Sequence, residues 1–493
     1  QEPPPASIAP APALASPQLV EGYPSLLQPG RRLLEVLSSE GVHLPRMPVE
    51  KVNTRARAST PPPARNKSVV EQADAATKGK ATNGKHKEEE EEQEFGGPVG
   101  CGAIMVVSHC LMFAMSASLY GSDYRIYVPT AKSITWFLSY HASQVFLART
   151  MPGVWVKGQA GLGYWCNAYS SFYATLIGAF VFHQAGIFDL ADLVKEYPAF
   201  LTTAIILGDI YSVIIHLWYA TGSQLTSIYD FFIGIGVHPR IGAIVDVKMV
   251  AETRVSWTLL FLITLGAMVE STRRLGTCVN PVAFMVLAHG LYANACAKGE
   301  HFIPYTWDIT TEKFGWMLCW WNLAGVPLLY CYQSLFLVAH SWSGLVLPPF
   351  TAVYYLILSI ALVIAYCIWD EANYHKCYFK MERRGEIINR DLFPTFRHVK
   401  DPKYIKCDVG ILLIDGWYGW ARKIHYTADT TMALLWGLCC GFGSPLPYVY
   451  VGFFAAMITH RASRDEARCQ KKYGKTWDQY LKAVPYRFIP GVW

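Results

Sequence analysis

The segment NYHKCYFKMERR places Lys376 and Lys380 four residues apart, so on a helix both ammonium groups face one anion. Downstream lie LLIDGWYGWARKIHYTAD and HRASRDEARCQKKYGKTWDQYLKAVPYRFIPGVW, both of which interleave cations with Tyr, Trp and His. That mixture suits a dinucleotide: cations meet phosphates, aromatic faces stack on the rings, and carboxylates accept ribose hydroxyls. Two lysines at helical spacing are a weak signal alone, and three such segments together are a stronger one. The glycines of GQAGLG at 158–163 are in the wrong order for Gly-x-Gly-x-x-Gly, and no Walker motif occurs. Any nucleotide site is therefore expected at helix ends and loops, not on a doubly wound sheet.

A second group of polar residues stands in apolar surroundings. Tyr229 and Asp230 open YDFFIGIGVHPRIG, His289 interrupts an apolar run, and Glu300, Asp308 and Glu312 lie in KGEHFIPYTWDITTEKFGW. Any one carboxylate is accounted for by pairing with Lys298 or Lys313. Beside Trp307, Trp316, Trp320 and Trp321, the group as a whole describes an apolar pocket with a few polar contacts. Such a pocket suits a largely hydrophobic ligand with one hydroxylated or reacting end.

These residues must be held by membrane-embedded helices. The 493-residue chain is 52% hydrophobic, 14% aromatic and only 16% charged, which excludes an ordinary cytosolic enzyme and a nucleic-acid module. Only Tyr23 of the 69 aromatic residues precedes Phe95, and thirteen of the 29 prolines precede residue 64. Residues 1–95 read as a disordered cytosolic tail ending in the acidic run Glu88–Glu92, and they carry no signal-peptide pattern. Residues 96–493 are expected to form one all-α, polytopic transmembrane domain. Apolar windows fall at 102–120, 133–150, 165–188, 199–220, 255–271, 279–297, 314–340, 348–369, 429–443 and 445–459, which predicts eight to ten spans. Strand-like alternation is absent, so a barrel is not expected. The thirteen cysteines are scattered without a Cys-x-x-Cys pair, so no metal site or disulfide framework is expected. Cations cluster in 370–428 and after Thr459; by the positive-inside bias both segments face the cytosol, and the net charge of +6 needs no nucleic acid.

The tail HRASRDEARCQKKYGKTW…VPYRFIPG resembles the C-terminal signature of the sterol reductase family, and IYDFFIGIGVHPR resembles its second signature. That family includes the Δ14-, Δ7- and Δ24(28)-sterol reductases and the membrane half of the lamin B receptor; the resemblance covers roughly residues 100–493. NACAKGEHFIPYTWDITTEKFGWMLCWWNLAGVPLLYCYQSLFL and ARKIHYTAD look most like the fungal Δ24(28) branch, which completes ergosterol synthesis. The resemblance implies NADPH as cofactor, contacted by Lys376, Lys380, Leu413, Tyr418, His425, Tyr426, Arg461, Asp465, Cys469, Lys472, Tyr473 and Tyr480. Tyr418 stands where Trp is usual, His375 where Gln is usual, and His238 where Asn is usual. It also implies residence in the endoplasmic reticulum membrane, with sterol, bilayer lipid and other sterol-biosynthesis enzymes as partners. Δ14 or Δ7 reduction is the alternative activity, and a non-catalytic sterol-binding scaffold the remote one.

An isolated alkene has no carbonyl to stabilise a carbanion, so protonation is expected to precede hydride capture. For a 24-methylene sterol, the proton adds to carbon 28 and leaves a tertiary cation at carbon 24. The chemistry needs a positioned acid, a dry pocket and an adjacent nicotinamide. Glu300 is the expected acid, with Asp308 or Tyr305 as alternatives; Tyr229, Asp230, His289, Glu312 and Trp316 are expected to face the sterol.

Overall fold

The computed structural model describes residues 93–492 apart from 159–160, 278–279, 341–350, 386 and 389–391. The predicted tail 1–95, except its last three residues, lies outside the described residues, as do parts of the GQAGLG loop and the start of the 348–369 window. The fold is mostly helical, with long helices α1 (Gly97–Tyr120), α2 (Ala131–Thr150), α3 (Ala168–Gln184), α4 (Tyr197–Tyr219) and α5 (Val247–Leu275). They are followed by α6 (Asn280–Lys298), α7 (Trp316–His340), α8 (Thr351–Arg384), α9 (Ile424–Cys439), α10 (Val449–Tyr473) and α11 (Lys475–Ala483). Every predicted apolar window falls on one of these helices. Among the described residues, five stretches are long and apolar enough to cross a bilayer: Glu94–Tyr120, which contains α1, and α4, α5, α7 and α8. The remaining windows fall on helices that are shorter or more polar. The outer faces of α4 and α8 expose Ile210, Ile214, Leu217, Leu356, Ile360 and Val363, as surfaces solvated by lipid do.

Three details depart from the sequence reading. Three short antiparallel hairpins join the helices: β1 (Val154–Lys157) with β2 (Gly163–Cys166), β3 (Arg240–Ile241) with β4 (Val245–Asp246), and β5 (Tyr404–Cys407) with β6 (Gly410–Leu413). Consequently the window expected from 165 begins in strand β2, and its helix starts only at Ala168. Third, α8 and α10 continue as helix well past their apolar windows, through the basic segments. Continuity sets Lys376 four residues before Lys380, and sets Arg461, Asp465, Cys469 and Tyr473 on one face at successive four-residue steps.

Two inner helices carry π turns, Val250–Ser256 in α5 and Trp321–Gly325 in α7. Such turns carry an extra residue and re-aim the side chains around them. Buried charges then tie the loop after α6 to its neighbours. Lys298 pairs with Asp370 at 2.7 Å, both almost fully buried. Lys248 Nζ donates to the carbonyl oxygens of Val237 at 3.1 Å and Glu312 at 2.7 Å.

The glycine-rich YDFFIGIG stretch has a steric reason. A β-carbon on Gly234 would lie 2.3 Å from the amide nitrogen of Gly315, and Gly234 has φ +97°. Phe314 N–H donates to Gly236 O at 2.8 Å, so two chain segments meet backbone to backbone. Gly234→Ala is expected to lower stability by about 1–3 kcal/mol through overpacking and a left-handed backbone. Thermal unfolding in detergent checks this; an unchanged midpoint would contradict it.

Candidate functional site

The basic segments converge. Lys376 and Lys380 on α8 lie close enough to Lys423 and Asp465 to interact electrostatically with both. Lys423, just before α9, forms an ion pair with Asp465 on α10. His425 is buried one residue beyond the start of α9, near Lys376, Lys423 and Arg461. Tyr418, on the turn after β6, has its hydroxyl 3.2 Å from His425 Nδ1, and Lys376 Nζ stands 5.4 Å from its ring centre. Leu413 packs behind Tyr418. Further along, Cys469 lies near Asp465 and Lys472, and Tyr480 on α11 near Cys469 and Asp465. Tyr473 stacks on Trp477, which packs at a tilt on Tyr480 with ring centres 5.0 Å apart. The twelve residues implied for the cofactor therefore fall in one region, and Lys423 joins them.

The electrostatics there are lopsided. Among the described residues, Lys376 and Lys380 form no ion pair; Lys376 is half-buried and Lys380 exposed. Burial alone would push the Asp465 carboxyl up, but Lys423, then Lys376 and Arg461, hold it below the ordinary carboxylate range. Burial, reinforced by Lys376, Lys423 and Arg461, pushes His425 well below its ordinary value and keeps the imidazole neutral. The sign for stability follows. An unfolded histidine takes up its proton near pH ~6.5, whereas the folded site refuses it, so stability falls as pH drops below that value. The unfolding midpoint in detergent is expected to be lower at about pH 5.5 than at about 7.5, and His425→Gln to narrow the gap. An equal gap in the variant would count against this assignment.

The carboxylates after α6 separate into different roles. Arg461 Nη2 donates to Asp308 at 2.6 Å, which joins Asp308 to the basic region. Glu252, on the π turn of α5, lies within electrostatic range of Asp308, Lys248 and Arg461. Glu312 accepts from Trp307 and stands 3.7 Å from Arg464. Glu300, however, is only 2% exposed and is ion-paired with Arg254, itself bound to Asn167 at 2.6 Å. It also accepts from the Ala168 backbone N–H at 2.6 Å and from the Thr253 hydroxyl at 3.3 Å. Glu300 is thus bound by an arginine, a backbone amide and a hydroxyl, the contacts of a structural anchor. Tyr305 donates to Lys157 O at 3.1 Å and lies beneath Arg384, apart from the aromatic interior.

The residues expected to face a ligand also divide. Trp316 is buried, donates to Asp209 at 2.8 Å and stacks on Trp320; Tyr229 accepts from the Glu94 N–H, and Asp230 lies beside it, half-buried. His289 belongs elsewhere: it is fully buried, bonded to Thr264 at 2.7 Å and set edge-on against Trp436. Three residues further along α6, Tyr292 packs against Trp257 at 4.4 Å and Trp369 at 4.9 Å. Tyr330 and Tyr450 close the group at 4.4 Å from each other.

Into this aromatic group projects Asp429, which the sequence reading placed at the edge of a span and passed over. It sits one turn after His425 on α9, and the Tyr292 hydroxyl donates to it at 3.4 Å. The signal was present as the spacing His425–Asp429 and as a single carboxyl opening an apolar run. The opposite face of α9 presents Ile424, Thr427, Ala428 and Thr431 to α8, around a 320 Å³ cavity whose small side chains leave room for an apolar molecule.

The ergosterol biosynthesis ERG4/ERG24 family model matches residues 111–493. A Delta(24(24(1)))-sterol reductase of Gibberella zeae is 38% identical over 443 residues, covering 81% of this chain and 73% of the relative. One from Aspergillus fumigatus is 36% identical over 440 residues, covering 81% of this chain and 92% of the relative. A Delta(14)-sterol reductase of Methylotuvimicrobium alcaliphilum is 34% identical over 366 residues, 73% of this chain and 82% of its own. With the match running through both the aromatic interior and the basic region, the chain belongs to the ergosterol biosynthesis ERG4/ERG24 family and is a multi-pass membrane sterol reductase.

Proposed function

We propose that this protein reduces the Δ24(28) bond of a 24-methylene sterol with NADPH, completing ergosterol synthesis in the endoplasmic reticulum membrane with its cofactor site facing the cytosol. The observation that carries the cofactor is the excess of cations beside packed aromatic rings. Lys376 and Lys380 form no ion pair among the described residues, and with Lys423 they face the single carboxylate of Asp465, an excess of positive charge that phosphates would balance. Lys376, Lys380 and Lys423 would hold the phosphates, Tyr418, Tyr473 and Tyr480 would flank the rings, and Asp465 would accept a hydroxyl. Bound there, NADPH supplies the hydride. The protein's own part is to bind the sterol among aromatic side chains, exclude water and hold a proton beside the double bond. Similarity to two fungal relatives named Delta(24(24(1)))-sterol reductases supports the choice of bond.

Similarity to Delta(14)-sterol reductases keeps Δ14 reduction as the second reading. Membranes containing the protein, supplied with NADPH and a 24-methylene sterol, are expected to form a product two mass units heavier. No turnover of that sterol, together with turnover of a Δ14 sterol, would overturn the choice of bond.

A further inference from the structure

The geometry points to Asp429 as the proton donor of this reduction, acting inside an aromatic chamber formed by Tyr292, Tyr330, Tyr450, Trp257, Trp369 and Trp436. The inference rests on the reductase reading and adds the residue that performs its first chemical step.

Three observations lead there. Asp429 is half-buried, and it does not line the groove between α8 and α9. Second, aromatic rings surround it: Tyr292 hydrogen-bonds to it, Trp369 is within hydrogen-bonding reach, and Tyr330 and Tyr450 lie within electrostatic range. Trp436, two turns along the same helix, stacks on Tyr450 at 5.5 Å, and Trp257 packs on Tyr292. Third, Asp429 stands one helical turn from His425 and so adjoins the cationic region where the cofactor would be held.

Comparison with the other carboxyl groups decides the assignment. Glu300 is held by Arg254, Asp308 by Arg461, and Asp370 by Lys298, while Glu252 lies between Lys248 and Arg461. Each has a cation beside it. Among the described residues no lysine, arginine or histidine forms an ion pair with Asp429. The titratable groups that face it are Tyr292 from α6, Tyr330 from α7 and Tyr450 from α10, all uncharged phenols. No cation there holds a carboxylate, and a neutral carboxylic acid is what the step requires.

In that step the Asp429 O–H bond breaks and the alkene π pair forms the new C–H bond at carbon 28. The cation left at tertiary carbon 24 faces the tyrosine and tryptophan rings, whose negative faces favour positive charge. Closing carbon 24 would take the hydride that a bound nicotinamide cofactor would supply, and water returns a proton to the Asp429 carboxylate. The substrate gains two hydrogens and the cofactor is oxidised, so the step balances.

The test uses the full chain in membranes, with NADPH fluorescence titration beside product mass. Asp429→Asn is expected to bind NADPH within about twofold of the parent and to lose about 100-fold or more in kcat, the share a general acid supplies. Tyr292→Phe removes a hydrogen bond from the acid and is expected to move the alkaline limb of the kcat–pH profile, where activity is lost as the donor deprotonates. Asp429→Glu is expected to restore part of the turnover. Turnover by Asp429→Asn within about threefold of the parent would overturn the assignment. If that variant also loses NADPH binding, the other two decide: an unmoved alkaline limb in Tyr292→Phe and no recovery in Asp429→Glu would overturn it. A parent protein inactive on every sterol would instead remove the reductase reading on which the assignment stands.

Discussion

Lys376→Ala is expected to weaken NADPH binding about 10- to 100-fold and to leave the protein folded. A hydrogen bond to a charged group contributes roughly 1.5–3 kcal/mol, and each 1.4 kcal/mol is tenfold in affinity. Lys376 has no ion-pair partner to abandon among the described residues, and it stands among the like charges of Lys380 and Lys423. Removing it relieves repulsion, so without cofactor the variant is expected to unfold at the same temperature as the parent or higher. NADPH then raises its midpoint less than it raises that of the parent. Fluorescence titration and thermal unfolding read both quantities. A lysine serving only the fold would give the opposite pattern, with a lower midpoint and unchanged affinity. The loss of binding is also expected to shrink at high salt, because counterions screen the same attraction.

Arg254→Ala has the largest expected effect on stability. Its guanidinium is 2% exposed, paired with Glu300 and bonded to Asn167, which in turn donates to carbonyl oxygens at the end of α2. Removing one partner of such a buried pair costs about 3–5 kcal/mol, because the other charge is left without compensation. That is a large part of the stability of an ordinary domain. Arg254→Met combined with Glu300→Gln removes both charges and is expected to recover much of the loss. Yield of detergent-stable protein and its unfolding midpoint provide the measurement. The same pair of variants separates two roles for Glu300. An acid would lower kcat at unchanged stability, whereas an anchor lowers stability and is rescued by removing its partner. Unchanged midpoints in Arg254→Ala would contradict the anchor.

Much of this was legible from residue order because it is local. Apolar windows locate helices, and four-residue spacing places Lys376 with Lys380 and Arg461 with Asp465 wherever the helix continues. The continuation itself is less visible, since the polar ends of α8 and α10 carry no apolar periodicity and are held by packing. Pairings between distant segments were not legible. Arg254 and Glu300 lie 46 positions apart, and either one read alone is a charge in an apolar stretch. Asp429 was hidden for a related reason: its surroundings come from α6, α7, α8 and α10, which only the folded chain brings together. The hairpins escaped because two- to four-residue strands are too short for alternation to register.

The central claim is that the protein protonates a sterol alkene before hydride reaches it, and the origin of the two added hydrogens tests this most directly. Turnover of a 24-methylene sterol in deuterated water with ordinary NADPH is expected to place one deuterium on carbon 28. Turnover in ordinary water with NADPH deuterated at the transferable position is expected to place one on carbon 24. The reverse distribution, cofactor deuterium on carbon 28 and solvent deuterium on carbon 24, would contradict the account.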